Sequence, residues 1–297
     1  MAKLGFIGLG IMGAPMAGNL LKAGHDVALW SKSAGKAEAV AAGGGSAKVC
    51  ASPAEVAASS DCVFYCVGDS AMSRETALGP DGLIHGAKPG CVIADCSTVS
   101  PEESREISAA FAAKGVHFLD APCTGSKPGA EGGTLTFMIG GDQVVFESVK
   151  PYFEVMGKVF FYCGGHGMGL QAKLTQNLVL ANIMQAFSEG VVLAAKAGIA
   201  PELMLEVLTN SAAKSGLISY KAPFIFDRNF TTNFSTKWMH KDVSMALDSG
   251  RANNVPLPMT AVTQQIFQAA ISRGNGEMDF CSTIQVLEDW AGIVVKK

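Results

Sequence analysis

Leu4-Gly5-Phe6-Ile7-Gly8-Leu9-Gly10-Ile11-Met12-Gly13 opens the chain almost at its first residue, and its reading decides the fold of the first half. Lys3–Ile7 is a short apolar run suited to a buried strand, and Ala14–Ala23 carries the apolar spacing of an amphipathic helix, so the glycines fall on a strand-to-helix turn. Gly8 permits the tight exit from the strand, Gly10 lets a pyrophosphate come up to the backbone, and Gly13 lets helix and strand pack closely. Leu9, Ile11 and Met12 complete the loop. The N–H groups at the start of the helix lack intrahelical partners and, with the helix dipole, attract an anion. The turn is therefore read as a dinucleotide cradle. The same glycines would also suit a methyltransferase-like nucleotide site or a purely structural turn.

Outward from this turn, β-type runs (Val27–Trp30, Cys62–Val67, Val92–Ala94, His117–Asp120) alternate with helical stretches (Ala54–Ser59, Glu102–Lys114). Such alternation predicts an α/β Rossmann domain, a doubly wound and mainly parallel sheet with helices on both faces. Thr134–Ile139 and Val159–Tyr162, flanking a helical Gln143–Met156, carry this pattern to about Cys163. From Gly167 the apolar residues recur at helical spacing through Leu170–Ala197, Pro201–Ser211, Ser235–Ser249 and Met259–Arg273, which predicts an all-α C-terminal domain. The expected division is 1–165 for a cofactor-binding Rossmann domain and 166–297 for a substrate and dimerisation domain that begins with a long interdomain helix. Gly164, Gly165, Gly167 and Gly169 are the expected hinge.

The chain has 297 residues, 48% of them hydrophobic and 16% charged, with a formal net charge of −3. That is ample material for two cores, and it provides no basic field to draw nucleic acid or an anionic membrane. A small-molecule partner is expected. Leu178–Ala197 has membrane-spanning length, but Asn182, Gln185, Ser188 and Glu189 interrupt it, so it is read as a helix buried inside the fold. Met1-Ala2-Lys3 runs directly into an apolar strand without the features of a secretory signal, which predicts a cytoplasmic protein. The eight cysteines form no CxxC pair and have no histidines at ligand spacing; they read as small buried thiols, and no metal site is expected.

At the end of the second strand an NAD enzyme places Asp or Glu on the adenosine ribose. Here the strand ends Trp30-Ser31-Lys32-Ser33, with no carboxylate. A lysine between two hydroxyls suits a 2′-phosphate, so NADP(H) is the expected cofactor. Taken alone, Lys32 would read as a solvated loop residue.

With these segments in place the chain resembles the β-hydroxyacid dehydrogenase family, which includes 3-hydroxyisobutyrate dehydrogenase, tartronate semialdehyde reductase and the glyoxylate/succinic semialdehyde reductases. Five collinear motifs carry the resemblance. Gly5 to Leu20 is similar to the family's N-terminal signature. Asp95-Cys96-Ser97-Thr98 matches a segment whose Thr98 equivalent lies near the nicotinamide; the nearby Ser100, before Pro101, also suits a helix N-cap. Asp120-Ala121-Pro122-Cys123-Thr124-Gly125-Ser126 matches a segment usually written DAPVSGG, which implies that Thr124, Gly125 and Ser126 hold the substrate carboxylate. Thr124 and Ser126 depart from the family's Ser and Gly. Gly167 to Asn177 matches the family's GxGxxxKxxxN helix, on which Lys173 and Asn177, four residues apart, project from one face. His240-Lys241-Asp242 resembles the family's K-D pair, which implies that Lys241 reaches the nicotinamide end. A departure lies at Cys66-Val67-Gly68-Asp69, where the family has Leu-Pro on the cofactor; Val67 takes that place here.

The resemblance implies reduction of a small aldehyde-bearing carboxylate by NADPH, with Lys173 as general acid in reduction and general base in oxidation. Burial and the positive nicotinamide are expected to lower its pKa toward the working range. Asn177 orients the substrate. Ser126-Lys127-Pro128 and Phe187-Ser188-Glu189-Gly190 look most like the glyoxylate/succinic semialdehyde reductases. The alternatives are an NAD(P)-dependent 3-hydroxyisobutyrate or tartronate semialdehyde enzyme, and a non-catalytic binding module on a dehydrogenase fold. Family habit and several apolar helices predict a homodimer or homotetramer.

Overall fold

The computed structural model describes residues 2–297 and separates into two compact units between Lys173 and Leu174. The first contains β1 (Lys3–Ile7), α1 (Gly13–Lys22), β2 (Asp26–Trp30), α2 (Lys36–Ala41), β3 (Ser46–Val49), α3 (Pro53–Ala58), β4 (Cys62–Tyr65), α4 (Ser70–Leu78), α5 (Leu83–Gly86), β5 (Val92–Asp95), α6 (Pro101–Ala112), β6 (His117–Asp120), β7 (Cys123–Thr124), α7 (Ser126–Glu131), β8 (Leu135–Gly141), α8 (Gln143–Met156) and β9 (Gly157–Gly164). The sheet order is β3-β2-β1-β4-β5-β6-β8-β7, with β9 also paired to β8. The first six strands run parallel, β8 is antiparallel to β6 and β7, and β9 is parallel to β8. This is a doubly wound Rossmann sheet.

Both faces of the sheet are covered, so its inner strands are apolar at successive positions, and alternate side chains enter opposite cores. Leu4, Phe6, Leu29 and Phe64 join Met16, Leu20 and Phe153 on one face. Ile7, Val63, Tyr65 and Ile93 join Val56, Ile107 and Phe111 on the other. The edge strand β3 is mostly exposed, and its Ser-Ala-Lys-Val sequence lacks a buried face to read, so it does not stand out in the chain. Ser100 caps α6, its hydroxyl accepting the Glu102 N–H at 3.2 Å.

α9 (Met168–Lys196) leads into the second unit, followed by α10 (Pro201–Thr209), α11 (Gly216–Phe226), α12 (Thr236–Ala252), α13 (Pro258–Ser272) and α14 (Ile284–Ala291), with 3-10 turns at Asn275–Glu277 and Phe280–Thr283. Its core gathers Phe187, Val191, Ile218, Phe226, Met239, Phe267, Phe280 and Ile284. α11 is apolar nearly all round and contains Pro223, which hides its period from sequence reading. α9 is long and apolar enough to cross a membrane. Its polar residues are nevertheless tied into the helical unit, with Gln185 Nε2 donating to Thr283 Oγ1 at 2.9 Å and Asn182 Nδ2 to Thr260 Oγ1 at 3.1 Å.

A buried ion pair fixes the loop before α12. Lys221 and Asp279 are each 2% exposed, and the Lys221 ammonium lies 2.8 Å from both carboxylate oxygens. The same carboxylate accepts the N–H groups of Asn233, Phe234 and Cys281. Removing one partner of such a pair strands the other charge. Lys221→Met should therefore cost about 3–5 kcal/mol in urea unfolding; a loss below about 1 kcal/mol would contradict this account.

Candidate active site

The parallel register sets Trp30, Ile7, Tyr65, Asp95 and Asp120 in one row across five strands. Apart from Lys173 on α9, the sequence-predicted residues of the first unit lie beyond this row: Ser31, Lys32 and Ser33 after β2, Gly8 to Gly13 after β1, Val67 after β4, Thr98 after β5, and, past the end of β6, Thr124 in β7 with Gly125 and Ser126 after it. They are brought together along the carboxyl edge of the sheet, where doubly wound folds hold ligands. The strand order reverses between β1 and β4, and the glycine turn sits at that switch point.

Each glycine of the turn answers to a separate constraint. Gly8 has φ +84°, and a Cβ there would lie 2.2 Å from the Cys66 carbonyl oxygen. On Gly13 it would lie 2.0 Å from the Gly8 oxygen. On Gly10 it would meet nothing within 4 Å. The backbone at Gly10 thus faces open space at the start of α1, which fits a bound pyrophosphate.

The loops after β4 and β5 are tied by a buried polar chain. The Val67 N–H donates to Ser97 Oγ at 2.8 Å, and the Ser97 N–H to Asp95 Oδ1 at 2.8 Å. Ser73 donates to Asp95 Oδ2 at 2.7 Å, and the Tyr65 hydroxyl lies 3.0 Å from Ser73. Burial pushes the Asp95 carboxyl up, and the bonds from Ser97 and Ser73 oppose that shift. Val67 therefore has its N–H committed within the protein. Lys32, at the open end of β2, pairs with Glu75 on α4 at 3.1 Å, with both side chains well exposed.

At the Thr124 turn, Gly125 has φ +129° and Ser126 φ +53°. Ser126 holds the left-handed conformation that favours glycine, at the position where the DAPVSGG segment has Gly. α7 starts here, and the carbonyl of its Ala130 accepts Asn19 Nδ2 of α1 at 2.8 Å. Lys173 is 7% exposed. Its charge acts on the thiol of Cys123, the residue before Thr124.

Sequence reading did not single out Asp120. It is fully buried and accepts the Gly167 N–H at 2.7 Å and the Leu170 N–H at 3.0 Å, satisfying backbone donors at the start of α9, the helix of Lys173. Gly169 lies within α9, where a Cβ would meet the Met138 carbonyl oxygen at 2.4 Å. Packing thus demands this glycine, which was expected to serve a hinge.

In the helical unit, Asn177 is 1% exposed and donates through Nδ2 to Asp242 Oδ2 at 2.6 Å. The other Asp242 oxygen lies 3.2 Å from the Lys241 ammonium. Lys241 also lies over the Trp238 ring, 5.4 Å from its centroid. Asn177 and Lys241 thus share one carboxylate, which orients the Asn177 amide by accepting its Nδ2–H. No local signal marks Asp242 as their common partner.

Residues 3–165 match the model for the NAD binding domain of 6-phosphogluconate dehydrogenase. Residues 167–287 match the model described as NAD-binding of NADP-dependent 3-hydroxyisobutyrate dehydrogenase. The chain is 39% identical over 294 residues to 2-(hydroxymethyl)glutarate dehydrogenase of Eubacterium barkeri, covering 99% of this chain and 97% of that one. It is 35% identical to glyoxylate/succinic semialdehyde reductase 1 of Arabidopsis thaliana, covering 96% and 98%. Among solved structures, 3-hydroxyisobutyrate dehydrogenase from Salmonella typhimurium superposes with a TM-score of 0.87 at 28% identity, covering 96% of this chain and 100% of that one.

Six of the eight thiols are buried and two half-buried. Burial pushes the Cys123 thiol up to about 11, against the pull of Lys173. Only the thiolate is alkylated, so Cys123 should resist iodoacetamide at pH 8 and react only as the pH nears its pKa. Peptide mass mapping would check this; rapid modification of Cys123 at pH 8 would contradict it.

Proposed function

Because the chain belongs to the β-hydroxyacid dehydrogenase family, and so is an NAD(P)-dependent oxidoreductase acting on CH–OH groups, we propose that it reduces a small aldehyde-bearing carboxylate, of the succinic semialdehyde or glyoxylate type, with NADPH. The observation that carries this reading is the placement of Lys173, a buried ammonium in the first turns of α9 whose charge is felt at Cys123, next to the Thr124–Ser126 turn.

NADPH, held along Gly8 to Gly13, would supply the hydride that the aldehyde carbon needs. Lys173 hydrogen-bonds the carbonyl oxygen, stabilises the negative charge developing there and donates the proton that completes the alcohol. In the reverse direction its neutral amine accepts the hydroxyl proton. Thr124, Gly125 and Ser126 hold the substrate carboxylate, the positive-φ backbone of Gly125 and Ser126 directing N–H groups toward an anion. Asn177, its Nδ2 engaged by Asp242, presents its amide oxygen to the substrate hydroxyl. Residues 1–165 hold the cofactor, through Gly8 to Gly13, Val67 and Thr98, and 166–297 supply substrate and subunit contacts, with Lys241 at the nicotinamide end.

Ser31, Lys32 and Ser33 receive the 2′-phosphate of NADP(H). Lys32 would exchange Glu75 for the phosphate, and an exposed pair of this kind is worth less than about 1 kcal/mol, so a multiply charged phosphate displaces it. The exposed apolar side chains Val179 and Leu193 on α9, and Leu203 and Val207 on α10, support a homodimer or homotetramer. We place the enzyme in the cytoplasm.

The direct test is NADPH oxidation with succinic semialdehyde, glyoxylate, tartronate semialdehyde and methylmalonate semialdehyde, together with oxidation of 2-(hydroxymethyl)glutarate, the compound named in the 39%-identical relative. Turnover of one of the first two aldehydes is expected; turnover of none would sink the reading. Lys173→Ala should lower kcat by about 100- to 10,000-fold while still binding NADPH, and undiminished turnover would overturn the mechanism. Lys32→Asp should weaken NADPH binding by at least about tenfold, equivalent to roughly 1.4 kcal/mol, and leave NADH binding little changed. A wild-type preference for NADH would contradict the cofactor assignment.

A further inference from the structure

We propose that Asp120 is a positioning residue that locks the Lys173 end of α9 to the Thr124–Ser126 turn, and that this fixed spacing selects the length of the substrate. The inference rests on the function proposed above, in which Lys173 meets the carbonyl oxygen and the turn holds the carboxylate.

Asp120 faces both parts. Its main chain ends β6 and leads through Ala121, Pro122 and Cys123 into the turn. Its carboxylate accepts the Gly167 and Leu170 N–H groups at 2.7 and 3.0 Å. Lys173 follows Leu170 by three residues, about 4.5 Å along a helix axis. A displacement of the carboxylate is therefore passed to the ammonium through less than one turn of hydrogen-bonded helix.

The packing admits little slack. A Cβ on Gly140 would lie 2.5 Å from both Asp120 oxygens, and one on Gly169 would lie 2.4 Å from the Met138 oxygen and 2.8 Å from the Gly140 nitrogen. The first turn of α9 thus rests on the bare backbone of β8. That strand also pairs with the turn, Thr124 opposite Thr136. The carboxylate-holding turn and the proton donor therefore share one foundation, β8 together with Asp120. In glyoxylate the aldehyde carbon adjoins the carboxylate, and in succinic semialdehyde two methylenes separate them. A fixed distance from turn to ammonium cannot suit both equally.

Two variants move the lock by different means. Asp120→Asn replaces one acceptor oxygen with an NH2 that opposes a backbone N–H. Gly140→Ala keeps every polar group and pushes the carboxylate aside. Rates would be measured per NADPH-binding site, titrated by fluorescence, so that unfolded protein does not count. With the better aldehyde of the pair, kcat should fall by roughly 100-fold, the loss attached to an ångström-scale misplacement. The ratio of kcat/KM for glyoxylate to that for succinic semialdehyde should shift by at least about fivefold, while the NADPH Kd stays within about twofold. If Asp120→Asn does not fold, Gly140→Ala decides. Wild-type kcat and an unchanged substrate ratio in a folded variant would overturn the proposal. Lys173→Ala in parallel separates the two readings: full activity there removes the proton donor itself, whereas its loss beside unaffected Asp120 and Gly140 variants removes only the positioning role.

Discussion

A buried carboxylate is costly unless its lone pairs are satisfied, and Asp120 meets that condition with backbone N–H groups from the start of α9. Burial pushes its carboxyl up, while the bonds from Gly167 and Leu170 hold it down. The positive end of the helix dipole favours an anion at this place. The first turn of α9 and the end of β6 thereby become one object. Gly140 and Gly169 follow from this arrangement, since a side chain on Gly140 would meet the carboxylate and one on Gly169 the β8 backbone.

The rest of the first unit is organised by the same edge of the sheet. Parallel register carries five strand ends to one level, so residues far apart in sequence emerge side by side. Short links then hold these parts: Ser97 and Asp95 tie the loops after β4 and β5, and Asn19 ties α1 to α7. In the helical unit Asp242 has a comparable part, holding Asn177 by one oxygen and Lys241 by the other.

What could be read from the chain was local chemistry. The glycine turn is legible because tight turns and close approach demand glycine within a few residues. The strands β1, β4, β5 and β6 are legible because burial on both faces makes their central positions apolar in succession. Lys173 and Asn177 are legible as a pair because four residues bring two side chains onto one helical face. Asp120 could be read only as part of a motif, since its partners lie 47 and 50 residues on. Asp242 is legible as half of the K-D pair, but its bond to Asn177, 65 residues away, was hidden for the same reason. Glu75 carries no mark in the sequence that would place it on Lys32.

The central claim, that Lys173 donates the proton to the aldehyde oxygen of a substrate whose carboxylate is held by the Thr124–Ser126 turn, is tested most directly by a crystal structure of the complex with NADP⁺ and 4-hydroxybutyrate. The account predicts Lys173 Nζ within about 3 Å of the ligand hydroxyl and the ligand carboxylate on the backbone of Gly125 and Ser126. A ligand bound in the opposite sense, with its carboxylate on Lys173 and its hydroxyl at the turn, would contradict it.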